Sequence, residues 1–209
     1  MNKACYNERM NKDIKQLIFT TSKNLWYENG YENVNLRQIA SACDIAIGNL
    51  TYYYPKKEDI LMEYHDAIMK EGFIKSQEFH FENPLVGYFA SEYAFLKYIT
   101  EDLHINRLFC QVINVASLRE RYFVAHHQLY ETFMGKHDDE ASWMSSVAFC
   151  SMEFGCMQEH FFEKDFDATI EKIFLQRFLF DHAYEHLDEI VKESIGQGKI
   201  VASQLELDF

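Results

Sequence analysis

Proline, glycine and long apolar runs are scarce in this sequence. Only two prolines and eight glycines occur in 209 residues, which leaves few turn signals for a sandwich or barrel of short strands. The five cysteines include no Cys-x-x-Cys pair, so neither a disulfide framework nor a zinc ribbon is expected. No apolar run reaches the roughly 18 residues of a membrane span, and the N-terminus lacks a secretory hydrophobic core. These absences favour an all-α protein in the cytoplasm, with no membrane partner.

Charge is spread unevenly along the chain. The formal net charge is -13, yet residues 1–60 hold eight basic side chains against seven acidic ones. The excess of acidic groups therefore lies in the remainder of the chain. Because phosphate binding depends on Lys and Arg, a strongly acidic surface disfavours nucleic-acid binding. The N-terminal quarter is nearly neutral, so this argument does not exclude nucleic-acid binding there. The contrast predicts two different functions on one chain.

The N-terminal quarter has the pattern of a helix-turn-helix. Apolar residues at three- and four-residue spacings predict a helix from Ile14 that ends at Gly30. Asn35, followed three residues later by Gln38, predicts a capping box at the start of a second short helix. A third short helix is predicted over residues 47–53. Two short helices joined by a tight turn form a helix-turn-helix.

The remainder of the chain is predicted to be helical as well. Pro55 favours the start of a fourth helix over residues 56–72. This helix connects a predicted N-terminal domain, residues 1–55, to a larger domain, residues 56–209. Further helices are expected from Pro84 onwards and over residues 105–116, 118–134, 140–163 and 167–195. The total is about nine helices.

The last long helix has apolar residues on two faces, and the long helix before it carries an apolar seam that could dock another helix. A helix with two apolar faces must be covered twice, once by its own domain and once by another surface. A two-fold dimer that pairs two helices from each subunit in a four-helix bundle meets this demand, and an ordinary large helical core is the alternative. The predicted interface residues are Trp143, Val147, Cys150, Phe154, Met157, Phe180, Ala183 and Leu187.

Several short motifs follow one another in the N-terminal quarter. They are Gly30-Tyr31, Leu36-Arg37-Gln38-Ile39-Ala40, Ile45-Ala46-Ile47-Gly48-Asn49-Leu50 and Tyr52-Tyr53-Tyr54-Pro55-Lys56-Lys57-Glu58-Asp59-Ile60-Leu61. In this order and spacing they resemble the DNA-binding domain of the TetR family of bacterial transcriptional regulators, over roughly residues 13–65. The resemblance implies a three-helix DNA-binding domain followed by a larger helical domain for effector binding and homodimerisation. It also implies a repressor of a palindromic double-stranded DNA operator, released by a small molecule, with no enzymatic activity and no cofactor.

Under this resemblance, residues 47–53 form the recognition helix that enters the major groove. Asn49 is the sharpest candidate for reading a base, because its amide can pair with adenine through two hydrogen bonds. The family usually has Ser or Thr at this position, and often Tyr where Thr51 stands, so the operator sequence cannot be transferred. Tyr54 is expected in the core. The predicted DNA contacts are Asn35, Arg37, Ile47, Gly48, Asn49, Thr51, Tyr52, Tyr53 and Lys57.

The middle helices are rich in aromatic residues, which favours a hydrophobic or aromatic effector, although an ordinary aromatic core explains the same pattern. The candidate effector residues are Phe89, Tyr93, Arg107, Phe109, Phe123, His126 and Tyr130. His182 and His186 share one helix face but lack a third ligand, so no metal site is predicted. A helical enzyme and a helical scaffold for protein partners remain alternatives, and no familiar catalytic motif supports the enzyme.

Overall fold

The computed structural model describes residues 3–76, 81–135, 140–179 and 187–205. Every regular element in these ranges is helical, which confirms the all-α prediction. The eleven α-helices are α1 (Lys3–Asn29), α2 (Leu36–Ala42), α3 (Ile47–Tyr53), α4 (Lys57–Ser76), α5 (Pro84–Glu101), α6 (Leu103–Asn114), α7 (Ala116–Met134), α8 (Glu140–Gln158), α9 (Phe161–Lys164), α10 (Phe166–Leu179) and α11 (Leu187–Ala202). A short 3-10 helix, Tyr31–Asn33, follows α1. None of these helices combines the length and the apolar character that a bilayer crossing requires.

Contacts divide the chain into two compact units, residues 1–64 and residues 65–209. The division lies inside α4, whereas the sequence placed the domain boundary just before this helix. α4 is therefore a single helix shared by both units.

The N-terminal unit contains α1 to α3 and the beginning of α4. Gly30 has a φ of +80°, a conformation that favours glycine, and it ends α1. The predicted capping box is confirmed: Asn35 Oδ1 accepts from the Gln38 backbone N–H, and Gln38 Oε1 accepts from the Asn35 backbone N–H. Asp44 has a φ of +53° in the turn that separates α2 from α3. The core of this unit includes Ile18, Trp26, Tyr31, Val34, Ile39, Leu50, Tyr54, Ile60 and Leu61.

α5 is the central helix of the C-terminal unit. Every residue from Leu85 to Leu96 is buried, as expected of a helix that is covered on all sides. α6, α7, α10 and α11 all contact α5. The approach of α11 is especially close, because a Cβ added at Gly198 would lie 2.9 Å from the Cβ of Phe89.

The described residues form eleven α-helices rather than about nine, and the largest differences from the predicted boundaries are at α1, α8 and α10. α1 begins at Lys3 rather than Ile14, because its first turns are polar and give no periodic apolar signal. The predicted helix 140–163 is interrupted at His160, whose left-handed φ of +56° separates α8 from the short α9. The predicted helix 167–195 corresponds to α10 and α11, and α11 extends to Ala202. Residues 180–186, between these two helices, lie outside the described part of the chain.

Candidate nucleic-acid interface and buried polar cluster

α3 is anchored by one side and presents the other to solvent. Leu50 is completely buried, whereas Ile47 and Asn49 are exposed. Thr51 Oγ1 donates to the backbone carbonyl of Ile47 at 3.1 Å, which leaves its methyl group and lone pairs for an external partner. A Cβ added at Gly48 would meet no atom within 4 Å, so packing within the protein does not require glycine there. These positions form a continuous outer surface on α3.

The three consecutive tyrosines have three different environments. Tyr54 is buried, as predicted, and its hydroxyl donates to Glu63 Oε2 at 2.9 Å; burial, and then this bond, raise the pKa of Tyr54. The Tyr53 hydroxyl donates to Asn11 Oδ1 on α1 at 2.7 Å. Tyr52 is 76% exposed and packs edge-on against the Tyr53 ring, with 5.1 Å between centroids. Tyr52 therefore offers the most accessible hydroxyl of the three.

The start of α2 combines a structural and an exposed residue. Asn35 Oδ1 accepts from the backbone N–H groups of Arg37 and Gln38 at 3.0 and 3.1 Å. This oxygen serves the helix cap, as predicted, and the contact of Asn35 with DNA stays a prediction. The Arg37 side chain is exposed at the first turn of α2.

Lys57 does not point into solvent, and this placement corrects the prediction that it contacts phosphate. Its Nζ donates to the backbone carbonyls of Tyr31 and Val34 at 2.8 and 3.0 Å. The same ammonium lies 3.8 Å from the centre of the Tyr31 ring, a cation–π contact. Partial burial lowers the pKa of Lys57. Lys57 fastens α4 to the 3-10 helix, and the exposed Lys56 replaces it as the candidate phosphate contact.

Of the grooves that described residues border, one is lined by a single predicted effector residue, Tyr93. Phe123 is half-buried and Arg107 is exposed, so Arg107 is not part of an enclosed site. The other five, Phe89, Tyr93, Phe109, His126 and Tyr130, are buried in an aromatic core. Tyr93 also borders a groove of about 390 Å³ between α5 and the α9–α10 region. A larger groove of about 630 Å³ lies between the start of α5 and α11, and it is lined by none of the seven.

The predicted dimer seam on α8 mostly faces the core of its own unit. Cys150, Phe154 and Met157 are buried, with the Phe154 ring 4.5 Å from that of Tyr122. Their side chains are thus unavailable to a second subunit, because the four- and three-residue spacing marks the face that packs against neighbouring helices. Trp143 and Val147 lie at the edge of this face and remain partly exposed.

The other predicted interface residues and the histidine pair considered as metal ligands follow α10 in the sequence. Leu187 begins α11. Phe180, Ala183, His182 and His186 lie outside the described residues.

A cluster of polar side chains inside the C-terminal unit was not predicted. His126 Nδ1 lies 3.0 Å from Glu92 Oε1, and the Tyr122 hydroxyl donates to Glu153 Oε2 at 3.2 Å; all four side chains are completely buried. Burial, and then the negative charge of Glu92, raise the pKa of Glu153 well above its usual range. The available sequence signal was Cys150 and Glu153, three residues apart and therefore on one face of α8.

Arg177 lies in the same core and was also missed. Its Nη2 donates to Ser146 Oγ at 2.9 Å, and its guanidinium lies 4.2 Å from the Tyr130 ring centre and 4.7 Å from that of Phe149. Nε and Nη1 have no hydrogen-bond partner among the residues that the structure describes. The Nε and Nη1 N–H groups of Arg177 can donate hydrogen bonds to an oxygen acceptor.

Known proteins resemble this chain in its N-terminal sequence and in its fold. The family described as bacterial regulatory proteins, tetR family, matches residues 18–64. RolR in complex with resorcinol has 15% sequence identity and a TM-score of 0.57, with 96% of this chain and 100% of that chain covered. RolR without ligand has 14% identity and the same TM-score, with 92% and 100% covered. A TerR/AcrR-family transcriptional regulator from Aquifex aeolicus VF5 has 16% identity and a TM-score of 0.46, with 94% and 99% covered.

No curated protein sequence matches the chain. The likeness to RolR shows a shared fold, and the family match coincides with the helix-turn-helix and its supporting helices. Residues 18–64 match the model of the tetR family of bacterial regulatory proteins, and this match is confined to the N-terminal unit.

Proposed function

We propose that this protein is a transcriptional repressor that binds a palindromic operator as a homodimer and responds to a small molecule. The observation that carries the proposal is the exposed surface of α3. Ile47, Asn49 and Tyr52 lie on the exposed side of α3. Leu50, on the buried side, holds the helix in place. A major groove admits such a helix, and base edges there present distinguishable donors and acceptors.

Each exposed side chain suits a different part of the duplex. The Asn49 amide matches the adenine edge, and Ile47, at 41% exposed, is suited to a thymine methyl group. The Arg37 guanidinium suits guanine if it reaches the groove, and otherwise phosphate. The Tyr52 hydroxyl and the Lys56 ammonium suit the sugar-phosphate backbone of the DNA. Contacts there fix the position of the protein on the duplex without reading the base sequence.

Dimerisation is proposed through the outer face of α8. Met144 is 62% exposed, Ser151 is exposed, and Ala148 is half-buried. A Cβ added at Gly155 would meet no atom within 4 Å. Small residues along a helix allow a second helix to approach closely, and a two-fold axis would place the same face of the partner against it. This surface replaces the Cys150, Phe154 and Met157 seam that the sequence indicated.

The proposed effector is a small aromatic molecule that carries an oxygen acceptor. The unpartnered Nε and Nη1 of Arg177 supply donors, and Tyr130 and Phe149 supply aromatic walls. A ligand changes operator affinity only if it binds one conformation better than the other. Two recognition helices fit successive major grooves only at a spacing of about 34–36 Å, so a small shift of α4 would be sufficient to weaken binding.

Operator binding is tested by footprinting the DNA upstream of the protein's own gene at low salt. We expect a protected two-fold symmetric site, and Asn49→Ala should weaken binding by about 1–3 kcal/mol, the usual value of a bidentate base contact. Asn24→Ala is the matched control, because Asn24 is exposed on α1, outside the helix-turn-helix. Equal effects of the two substitutions, or no protected site, would reject the proposal in favour of a protein-binding scaffold.

Effector binding is tested separately by thermal shift and operator release. The panel contains resorcinol, benzoate and cyclohexanol, which differ in aromaticity and in acidity. We expect an aromatic probe to stabilise the protein and release the operator, and Arg177→Met to abolish both effects. Arg119→Met is the control, since Arg119 is exposed on α7. Release that persists in Arg177→Met would place the effector elsewhere.

A further inference from the structure

We propose that His126, Cys150 and Glu153 form a buried binding site for one divalent metal ion of the zinc class. One ligand atom from each residue lies within 4.8 Å of the other two, and all three side chains are completely buried. Among the residues that the structure describes, this is the one group of three or more His, Cys, Asp and Glu side chains with such spacing. The proposal does not depend on operator binding, because it concerns the free protein.

The hydrogen bonds around the three residues leave their inner atoms available. Glu92 occupies His126 Nδ1 at 3.0 Å, and no described residue pairs with His126 Nε2. Tyr122 occupies Glu153 Oε2 at 3.2 Å, and Glu153 Oε1 likewise has no partner within the described ranges. Buried polar atoms usually have a partner, so two free acceptor atoms in one cluster are suited to binding a ligand.

The contact between Glu92 and His126 matches the way proteins prepare a histidine for metal. A metal-binding imidazole usually donates its second N–H to a carboxylate, which fixes the ring and leaves the other nitrogen as a lone-pair donor. With Glu92 at Nδ1, His126 presents Nε2 in this manner. In the proposed site, the buried Glu92 therefore orients the His126 imidazole toward the metal ion.

Charge and distance also favour a dication. Carboxylates at Glu92 and Glu153 and a thiolate at Cys150 would bring three negative charges into the core. A divalent ion and the buried guanidinium of Arg177 balance them. Bond lengths of about 2.0–2.3 Å in a tetrahedral zinc site separate the ligand atoms by about 3.3–3.8 Å. Side-chain adjustments of about 1 Å would bring the three residues to that spacing.

The chemical nature of the ligands selects the metal. Imidazole, thiolate and carboxylate together suit zinc and its spectroscopic substitute cobalt, whereas magnesium and calcium require oxygen ligands. Three protein ligands leave a fourth position for water.

The test uses the full chain after dialysis against a chelator. Cobalt(II) is titrated while the visible d–d bands and the ultraviolet thiolate-to-cobalt band are recorded. We expect saturation at one equivalent per chain and displacement of the bands by zinc. Glu92→Gln should weaken binding by about tenfold or more, the usual effect of losing the group that orients a metal-binding histidine.

Two substitutions on the same helix separate this site from other thiols. Cys150→Ser should abolish the charge-transfer band, and Cys156→Ser, which alters a half-buried thiol outside the cluster, should retain it. Circular dichroism confirms that each variant is folded. If Cys150→Ser does not fold, the proposal is tested by the cobalt stoichiometry of the wild-type chain and by the weaker cobalt binding expected of Glu92→Gln. The proposal is overturned if no band forms, if the band survives in folded Cys150→Ser, or if the His182→Gln/His186→Gln double variant loses it.

Discussion

At the scale of single residues, Lys57 shows how a charged side chain can serve the fold instead of a ligand. Its ammonium satisfies two backbone carbonyls of the segment between α1 and α2 and contacts the Tyr31 ring. Lys56, one position earlier, is exposed and makes no such contact through its side chain in the described structure. The two neighbours thus form a natural pair for separating stability from DNA binding.

We predict that Lys57→Met lowers the free energy of unfolding by about 1–3 kcal/mol, because the carbonyl groups of Tyr31 and Val34 lose their charged donor. Lys56→Met should leave stability within about 0.5 kcal/mol of wild type and weaken DNA binding instead. Urea denaturation measures the first effect, and fluorescence anisotropy with operator DNA measures the second. Equal unfolding midpoints for the two variants would contradict this assignment.

The tyrosine pair on α3 allows a second test at this scale. Tyr53→Phe removes the donor to Asn11 and should cost about 0.5–1.5 kcal/mol of stability. Tyr52→Phe should leave stability unchanged, since its hydroxyl extends into solvent, and should reduce operator affinity. Thermal melts and anisotropy on the same samples distinguish the two outcomes, and the reverse pattern would show that the phosphate contact belongs to Tyr53.

At the scale of the element, α3 is short and depends on Leu50 for its attachment. Gly48 lies on its outer surface, where the Cβ of an alanine would meet no described atom within 4 Å. We predict that Gly48→Ala leaves the thermal midpoint unchanged or slightly higher, because alanine favours helix over glycine by up to about 1 kcal/mol. Operator affinity should fall, because the added methyl group would separate the helix from the groove. Unchanged affinity would show that α3 does not approach DNA closely at this position.

α11 provides a matched pair of glycines for testing helix packing. A Cβ at Gly198 would lie 2.9 Å from the Phe89 Cβ and 3.1 Å from the Ala90 backbone nitrogen, whereas a Cβ at Gly196 would meet nothing within 4 Å. We predict that Gly198→Ala destabilises the protein by about 1–3 kcal/mol through overpacking. Gly196→Ala should be neutral or stabilising by up to about 1 kcal/mol. Chemical denaturation of both variants measures the difference, and similar values would argue against close contact between α11 and α5.

At the scale of the whole molecule, the distribution of apolar surface on α8 bears on assembly. The inward face is used by the unit itself, and the outward face retains Met144, Ser151 and Gly155. An arginine at Ser151 or Gly155 would have space in the isolated subunit, but it would be buried without a partner in a dimer, at a cost of several kcal/mol. We predict that Ser151→Arg and Gly155→Arg produce folded monomers.

Sedimentation velocity measures this change in mass, and circular dichroism confirms the fold. Gln128→Arg on α7 is the control, because it adds the same charge at an exposed position outside the proposed interface. A dimer that withstands both α8 substitutions would place the interface on another surface. Loss of the dimer should also lower operator affinity, because a single recognition helix then binds alone.

Local signals made much of the N-terminal unit predictable. The Asn35–Gln38 capping box and the glycine at position 30 act within a few residues, so sequence alone reveals where helices begin and end. The break at His160 was missed because a left-handed histidine is uncommon and has no strong sequence signal. The buried cluster was missed because Glu92, His126 and Glu153 come from three different helices.

Periodicity, capping and motif spacing were sufficient to predict the helical class, the order of the first helices and a helix-turn-helix with Asn49 on its outer side. Which face of α8 is covered, where the Lys57 ammonium binds, and that His126 lies close to Cys150 and Glu153 became clear from the packing of the helices. An apolar stripe predicts that a face will be buried without identifying what buries it. Contacts between residues far apart in the chain arise only when whole helices pack together.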